Sequence, residues 1–279
     1  MSSASERYDP LDILEDAGRQ ADDSLPLGET ALALAALDHP GLDIVPYRAH
    51  LDSLIADLRD TAGEAKSVEA ASAALADLFT RQHGYAGDED SYGDMQNADL
   101  VRVIDRRKGL PVALGILHLI AGRGVGWRLT GLNFPGHFLI SLVVGREDAI
   151  IDPFHAAEIR EPRWLIDLLK KVSGEGPDRL EAHLRPNSDR DVLLRLQNNI
   201  KSRAQQAGDT DRAFQILARM QRFSPARGHL WREQSVLLAR SGQLAGAIEA
   251  ARTYKRKAIE PNEHTDAETL LTSLQRALN

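Results

Sequence analysis

The 279-residue chain contains no cysteine. Disulfides, zinc–thiolate sites and thiol catalysis are therefore excluded for it, and no residue that is present decides as much. Long apolar runs are also missing. The longest near the start, residues 31–37, is far too short to cross a hydrocarbon layer of about 30 Å. Residues 1–23 are acidic and lack the basic start and apolar centre of a secretory leader, so a cytoplasmic protein with no membrane contact is expected. Basic residues are scarce at first: positions 1–100 hold 6 of them against 21 acidic ones, a balance of −15 in a chain of net −7. The other 179 residues carry +8 as scattered arginine rather than as a block, so no nucleic-acid partner is expected. Hydrophobic residues at 43% and charged residues at 27% suit a globular protein, and the length allows one large or two ordinary domains with real cores.

Residues 132–154 are the stretch around which the rest is read. Two β-rich apolar runs flank the polar turn Gly145-Arg146-Glu147-Asp148, which predicts a hairpin. Pro135 and Gly136 cannot continue a ladder, so His137 opens the first strand, and Asp152 closes the second before Pro153. The pairing draws an imidazole and a carboxylate toward one end of the sheet. Together they form the base and orienting acid of a catalytic triad, without its nucleophile.

Elsewhere the pattern is helical. Residues 1–26 read as a mobile acidic arm with one short helix at 11–21. Helices follow at 30–37, 47–59, after Ser67 as a cap, and at 98–107. Pro111 starts another, 112–122, apolar nearly all round and so expected to be buried. A strand at 127–132 leads into the hairpin, and a helix at 163–172 precedes a Gly, Pro and Asp-rich linker at 173–189. Beyond it the chain repeats: Gly208 and Gly242 lie 34 apart, as do Ala213 and Ala247, and a final helix spans 265–277.

The pieces Gly84-Tyr85-Ala86-Gly87, Tyr92, Asn97, Asp105 to Pro111, Phe134 to Leu139 and Ile151-Asp152-Pro153-Phe154 occur together in that order. On them the chain, over residues 26–279, resembles the SirB family of transglutaminase-like proteins with a tetratricopeptide-like tail. The resemblance implies an α+β fold: a papain/transglutaminase-like core, with a buried central helix on a small antiparallel sheet, followed by an all-α helical repeat. The expected domains are an arm at 1–25, the transglutaminase-like domain at 26–185 and the repeat at 186–279. In active relatives a cysteine at the N-terminus of the central helix faces a histidine and an aspartate. His137 and Asp152 match those two. The nucleophile would sit near Pro111, Val112 or Ala113, none of which can attack a carbonyl.

Each sharp reading has a plainer rival. His137 serves as a general base or as a satisfied strand-end histidine, and without a nucleophile the second is favoured. His137, Asp152 and His155 have the composition of a two-histidine, one-carboxylate metal site, but no metal and no cofactor are expected. Residues 87–94 carry part of a calcium-loop pattern, and the rival is a solvated acidic loop with Tyr92 packed beneath it. The basic run Arg106-Arg107-Lys108 is expected to offset the dipole of its own helix. The expected function is binding of a protein or peptide by a pseudoenzyme, through the vestigial cleft or the repeat face. The alternative is a hydrolase in which His137 and Asp152 work with an activated water or a metal.

Overall fold

The structure, a computed structural model, describes residues 8–22, 24–62 and 65–278. They fall into two compact units, one of residues up to 13 with 20–199, the other of 14–19 with 200–279.

The first unit carries helices α1 (Pro10–Arg19, shared with the second), α2 (Leu27–Ala36), α3 (Val45–Ala62) and α4 (Val68–Ala76). The Ser67 hydroxyl caps α4 by accepting from the Ala70 amide at 3.2 Å. Two-residue strands β1 (Ala86–Gly87) and β2 (Lys108–Gly109) pair in parallel on either side of α5 (Leu100–Arg106). Then come α6 (Pro111–Gly124) and the antiparallel meander β3 (Arg128–Leu132), β4 (Leu139–Val144), β5 (Glu147–Asp152) and β6 (Glu158–Ile159), paired in that order. Helices α7 (Pro162–Ser173) and α8 (Leu180–His183) follow, and α9 (Asp189–Gln206) runs on into the second unit.

Helix α6 is the centre of this unit. Its residues from Pro111 to Leu119 are all buried, as an all-apolar helix requires. Close approach is permitted by its glycines. A Cβ on Gly115 would lie 2.3 Å from the Phe138 ring, and one on Gly122 would lie 2.7 Å from Leu129. The sheet therefore rests directly on the helix backbone. Beside it, α7 packs Leu165 and Leu169 against Leu132, Phe134 and Leu139.

The hairpin turn is tighter than the four polar residues predict. Val144 pairs with Glu147 across a two-residue turn, with Gly145 at φ +62°, the first central position of the hairpin turn that needs a positive φ. β4 starts at Leu139, so His137 lies in the bend before the strand rather than opening it.

Three other expectations change. The described part of the N-terminal stretch is no mobile arm: Leu14 and Ala17 are fully buried, and Arg190 donates to the Gln20 carbonyl at 2.6 Å and to Asp22 at 2.7 Å. Its polar composition hides a short apolar stripe that suffices to dock a helix of ten residues. Residues 1–7 of that arm lie outside the described residues. The linker at 173–189 is not a free tether, because Asn133 donates to the Arg185 carbonyl (3.1 Å) and Asn187 to that of Gly131 (2.7 Å), covering the open edge of β3. The domain boundary shifts accordingly, from 185 to 199, inside α9.

The second unit continues from α9 through α10 (Thr210–Phe223), α11 (Gly228–Arg240), α12 (Leu244–Lys257) and α13 (Pro261–Leu278), joined by short turns. Gly208 (φ +75°) and Gly242 (φ +78°) take the left-handed conformation at corresponding turns. Ala213 and Ala247 are fully buried, and buried Ser235 of α11 donates to the Ala247 carbonyl of α12 at 2.8 Å.

Replacing Ala213 or Ala247 by Leu should overpack these contacts and lower stability by about 1–3 kcal/mol. Gly115→Ala should do the same in the first unit by displacing the Phe138 ring. Urea unfolding of each variant is the check, and unchanged midpoints would contradict the close approach.

Candidate active site

The site forms where the loop between β3 and β4 and the end of β5 meet the N-terminus of α6. The motif residues around positions 84–111 hold that N-terminus in place. The Leu110 amide donates to the Asn97 carbonyl (2.8 Å), while the Asn97 side chain donates to the Ser91 carbonyl (2.7 Å) and accepts from Arg106 (2.9 Å). Asp88 is buried and accepts from the Ser91 amide (3.0 Å) and hydroxyl (2.7 Å) and from Arg106 (2.9 Å). It is thus an internal turn carboxylate, neither a calcium ligand nor a solvated acid. Tyr92 is 43% exposed rather than packed beneath the loop. The basic run is also spent on contacts. Arg106 joins Asp88 and Asn97, and Arg107, at φ +59°, donates to the Tyr85 hydroxyl at 2.6 Å.

Asp152 is the hub. Its carboxylate has no exposed surface. Oδ1 accepts from the Phe154 amide (3.0 Å) and lies 2.9 Å from Nε2 of His137. The imidazole is tilted off the line to that oxygen, so this is a close electrostatic contact rather than a directed hydrogen bond. Oδ2 accepts from Nδ1 of His155 (2.8 Å) and from Nη2 (2.9 Å) and Nε (3.2 Å) of Arg160. Burial pushes the Asp152 carboxyl up, but the contacts with His137 and His155 outweigh it and hold the group well below the usual carboxylate range. His155 is aimed by a turn in which Ala156 (φ +52°) and Ala157 (φ +55°) both take the left-handed conformation, at a cost on the order of 1–2 kcal/mol each. The buried Ser72 hydroxyl holds that turn through the Ala157 carbonyl at 2.8 Å.

His137, Asp152 and His155 therefore come together, with ligand atoms within 4.8 Å of one another. They nevertheless suit a divalent cation poorly. The carboxylate oxygens already face four donors, and the Arg160 guanidinium, itself mostly buried, sits where a second positive charge would be repelled.

The cleft beside His137 has a volume of about 140 Å³ and is lined by Tyr92, Leu110, Val112, Phe138 and Arg195 among others. Val112 and Ala113 are buried and present only hydrocarbon where a nucleophile would stand. Three residues here escaped the sequence reading. Arg160 follows Asp152 by eight positions, and nothing local announces their pairing. His118 lies deep on α6, stacked on Phe79 with centroids 3.8 Å apart; burial lowers its pKa to about 4, so it is neutral at pH 7. Arg195 lies three residues after buried Val192, and a cation on that stripe was the available signal.

With this geometry in place, the comparisons identify the class. The family model of the transglutaminase-like superfamily matches residues 46–198, more than half of the chain, and the chain belongs to that superfamily. It is 30% identical over 246 residues to a UPF0162 protein of Xylella fastidiosa, covering 87% of each chain. A UPF0162 protein of Vibrio cholerae is 32% identical over 148 residues, 52% of this chain and 55% of its own. F-box only protein 21 of Homo sapiens is 34% identical over 70 residues, 25% of this chain and 11% of its own. No solved structure matches the chain. Among the described residues, no helix is long and apolar enough to cross a membrane.

Replacing Asp152 by Ala leaves the Arg160 guanidinium without its buried partner and should cost about 3–5 kcal/mol at neutral pH. Because the folded-state pKa is depressed, the carboxylate's contribution is complete above its unfolded value of about 3.9 and is lost as pH falls through the folded one. Urea unfolding of wild type and Asp152→Ala should therefore differ fully at pH 7 and converge only in strongly acidic solution. A difference already lost at pH 5 would contradict the assignment.

Proposed function

We propose that the protein binds another protein or a peptide, using a transglutaminase-like domain that has lost its nucleophile. One observation carries this reading: an open cleft lies at the N-terminus of α6 beside His137 and Asp152, and the positions for attack hold Val112 and Ala113. His137 and Asp152 are vestigial triad members in this reading, and their contact is structural. The full SirB-type organisation is part of the proposal. Helices α9–α13 form the tetratricopeptide-like repeat, supported by the 34-residue spacing of Gly208 and Gly242 and the burial of Ala213 and Ala247, and offer a second docking face. The setting is cytoplasmic, without a nucleic-acid partner, as the acidic first third suggests. The hydrolase alternative, with an activated water or metal, is less well supported because the donors around Asp152 leave it little capacity to bind an ion.

Peptides selected by display on the intact protein should slow amide hydrogen exchange at residues 110–113 and 133–138, or across α10–α12. Failure to select any peptide, or protection at neither place, would reject the reading. The unmodified protein should incorporate no amine into a glutamine substrate, and activity that survives repurification would overturn the assignment. Val112→Cys or Ala113→Cys should react with iodoacetamide faster than a surface cysteine, because the helix dipole and His137 lower the thiol pKa. Rates equal to the surface control in both variants would show that the geometry no longer supports a thiolate.

A further inference from the structure

Arg195 presents an unresolved charge. Its side chain is half-buried, places the guanidinium carbon 5.7 Å from the centre of the Phe138 ring, and lines the cleft next to His137. An arginine carries five N–H donors. In this structure one hydrogen bond is made, from Nη2 to the His137 carbonyl at 2.5 Å, and no carboxylate among the described residues pairs with it. The other half-buried or buried arginines of this unit do have acids: Arg48 with Glu29, Arg106 with Asp88, Arg123 with Asp189, Arg160 with Asp152 and Arg190 with Asp22. Arg107, with a phenol and an imidazole for partners, is the other case without one, and it lies away from the cleft. Burying a cation without a counter-charge is costly, and burial disfavours the charged form of Arg195. Proteins tolerate such a group where a ligand supplies the missing charge.

The opposite wall is complementary. α6 begins at Leu110 with no side-chain cap, and the Val112 and Ala113 amides have no partner among the described residues. They add the positive end of a fourteen-residue helix dipole to the cation across the cleft.

We infer that the cleft receives a single carboxylate of the bound partner, held by the Arg195 guanidinium at the N-terminus of α6. This rests on the proposed binding role of the same cleft. Two features choose the ligand class. At about 140 Å³ the cleft is smaller than the roughly 300–1,000 Å³ that encloses a drug-sized molecule, so one end group or side-chain tip enters. Tyr92, on the cleft wall, belongs to a loop that also carries Glu89, Asp90 and Asp94, an acidic setting that disfavours a dianion more than a monoanion. A lone carboxylate fits both limits, and a phosphate or an acidic run does not.

The test is a titration of the intact, isotope-labelled protein followed by NMR at the Arg195 Nε–H and the Val112 and Ala113 amides. Propionate should produce saturable shifts at these signals, whereas propionamide, of the same shape without charge, and inorganic phosphate should not. Arg195→Gln should weaken propionate about tenfold or more, the loss expected for a charged hydrogen bond, and Arg195→Lys should restore part of it. N-acetyldialanine, with only a chain-terminal carboxylate, and N-acetylglutamic acid α-amide, with only a side-chain one, then separate the two sources by their relative affinity. Equal shifts from propionate and propionamide in the wild type, stronger binding of phosphate, or no saturation would overturn the inference whatever the variants' stability. Peptides that protect residues 110–113 from exchange yet bind Arg195→Gln undiminished would leave the binding role standing and remove the carboxylate.

Discussion

A carboxylate with no access to water must be surrounded by donors, and the candidate site is organised by that requirement at Asp152. One oxygen takes the Phe154 amide and the close approach of His137, and the other takes His155 and Arg160. Meeting the requirement fixes more than the acid. It bends the chain after β5, aims His155 through two residues in left-handed conformation, and draws Arg160 back over the sheet, where it also stacks on Trp164 at 4.3 Å. Such a network is stable only when complete, since a missing member leaves a buried charge exposed to low dielectric.

The second constraint is the direct seating of the sheet on α6. Gly115 lets Phe138 touch the helix backbone, and His137 is therefore held at a set distance from the first turn of that helix. In a transglutaminase-like domain this arrangement would aim a thiolate, helix dipole and imidazole at one another. Here the geometry stands without the sulfur, and what it leaves is a small cleft with donors on both walls.

The hairpin and the buried helix were legible because they depend on local period. Two β-rich apolar runs on either side of a polar turn at Gly145 predict a hairpin, and seven apolar positions between Val112 and Ile120 predict a buried helix. The proximity of His137 and Asp152 follows from that pairing alone. Details of the hairpin did not, because polar composition cannot distinguish a two-residue turn from a four-residue one. Arg160 and Arg195 were missed for a different reason. Their roles are set by what lies across the fold: Arg160 has no local signature of burial, and the apolar stripe around Arg195 signals burial but not what the cation faces.

The sequence by itself determined that this chain performs no thiol chemistry, since composition needs no coordinates, and it located the central helix and the hairpin, since backbone periods of 3.6 and 2 are short-range properties; the short strands β1, β2 and β6 and helix α8 had no such signal. Tertiary structure decided which polar groups are interior. Asp88, read as a solvated acid, is buried against Arg106, and the N-terminal stretch, read as an arm, docks through Leu14 and Ala17. It also decided that residues 185–187 close the edge of β3 and that α9 continues across the domain boundary. Each of these depends on desolvation by segments tens of residues away, and desolvation is a property of the packed chain, not of any stretch within it.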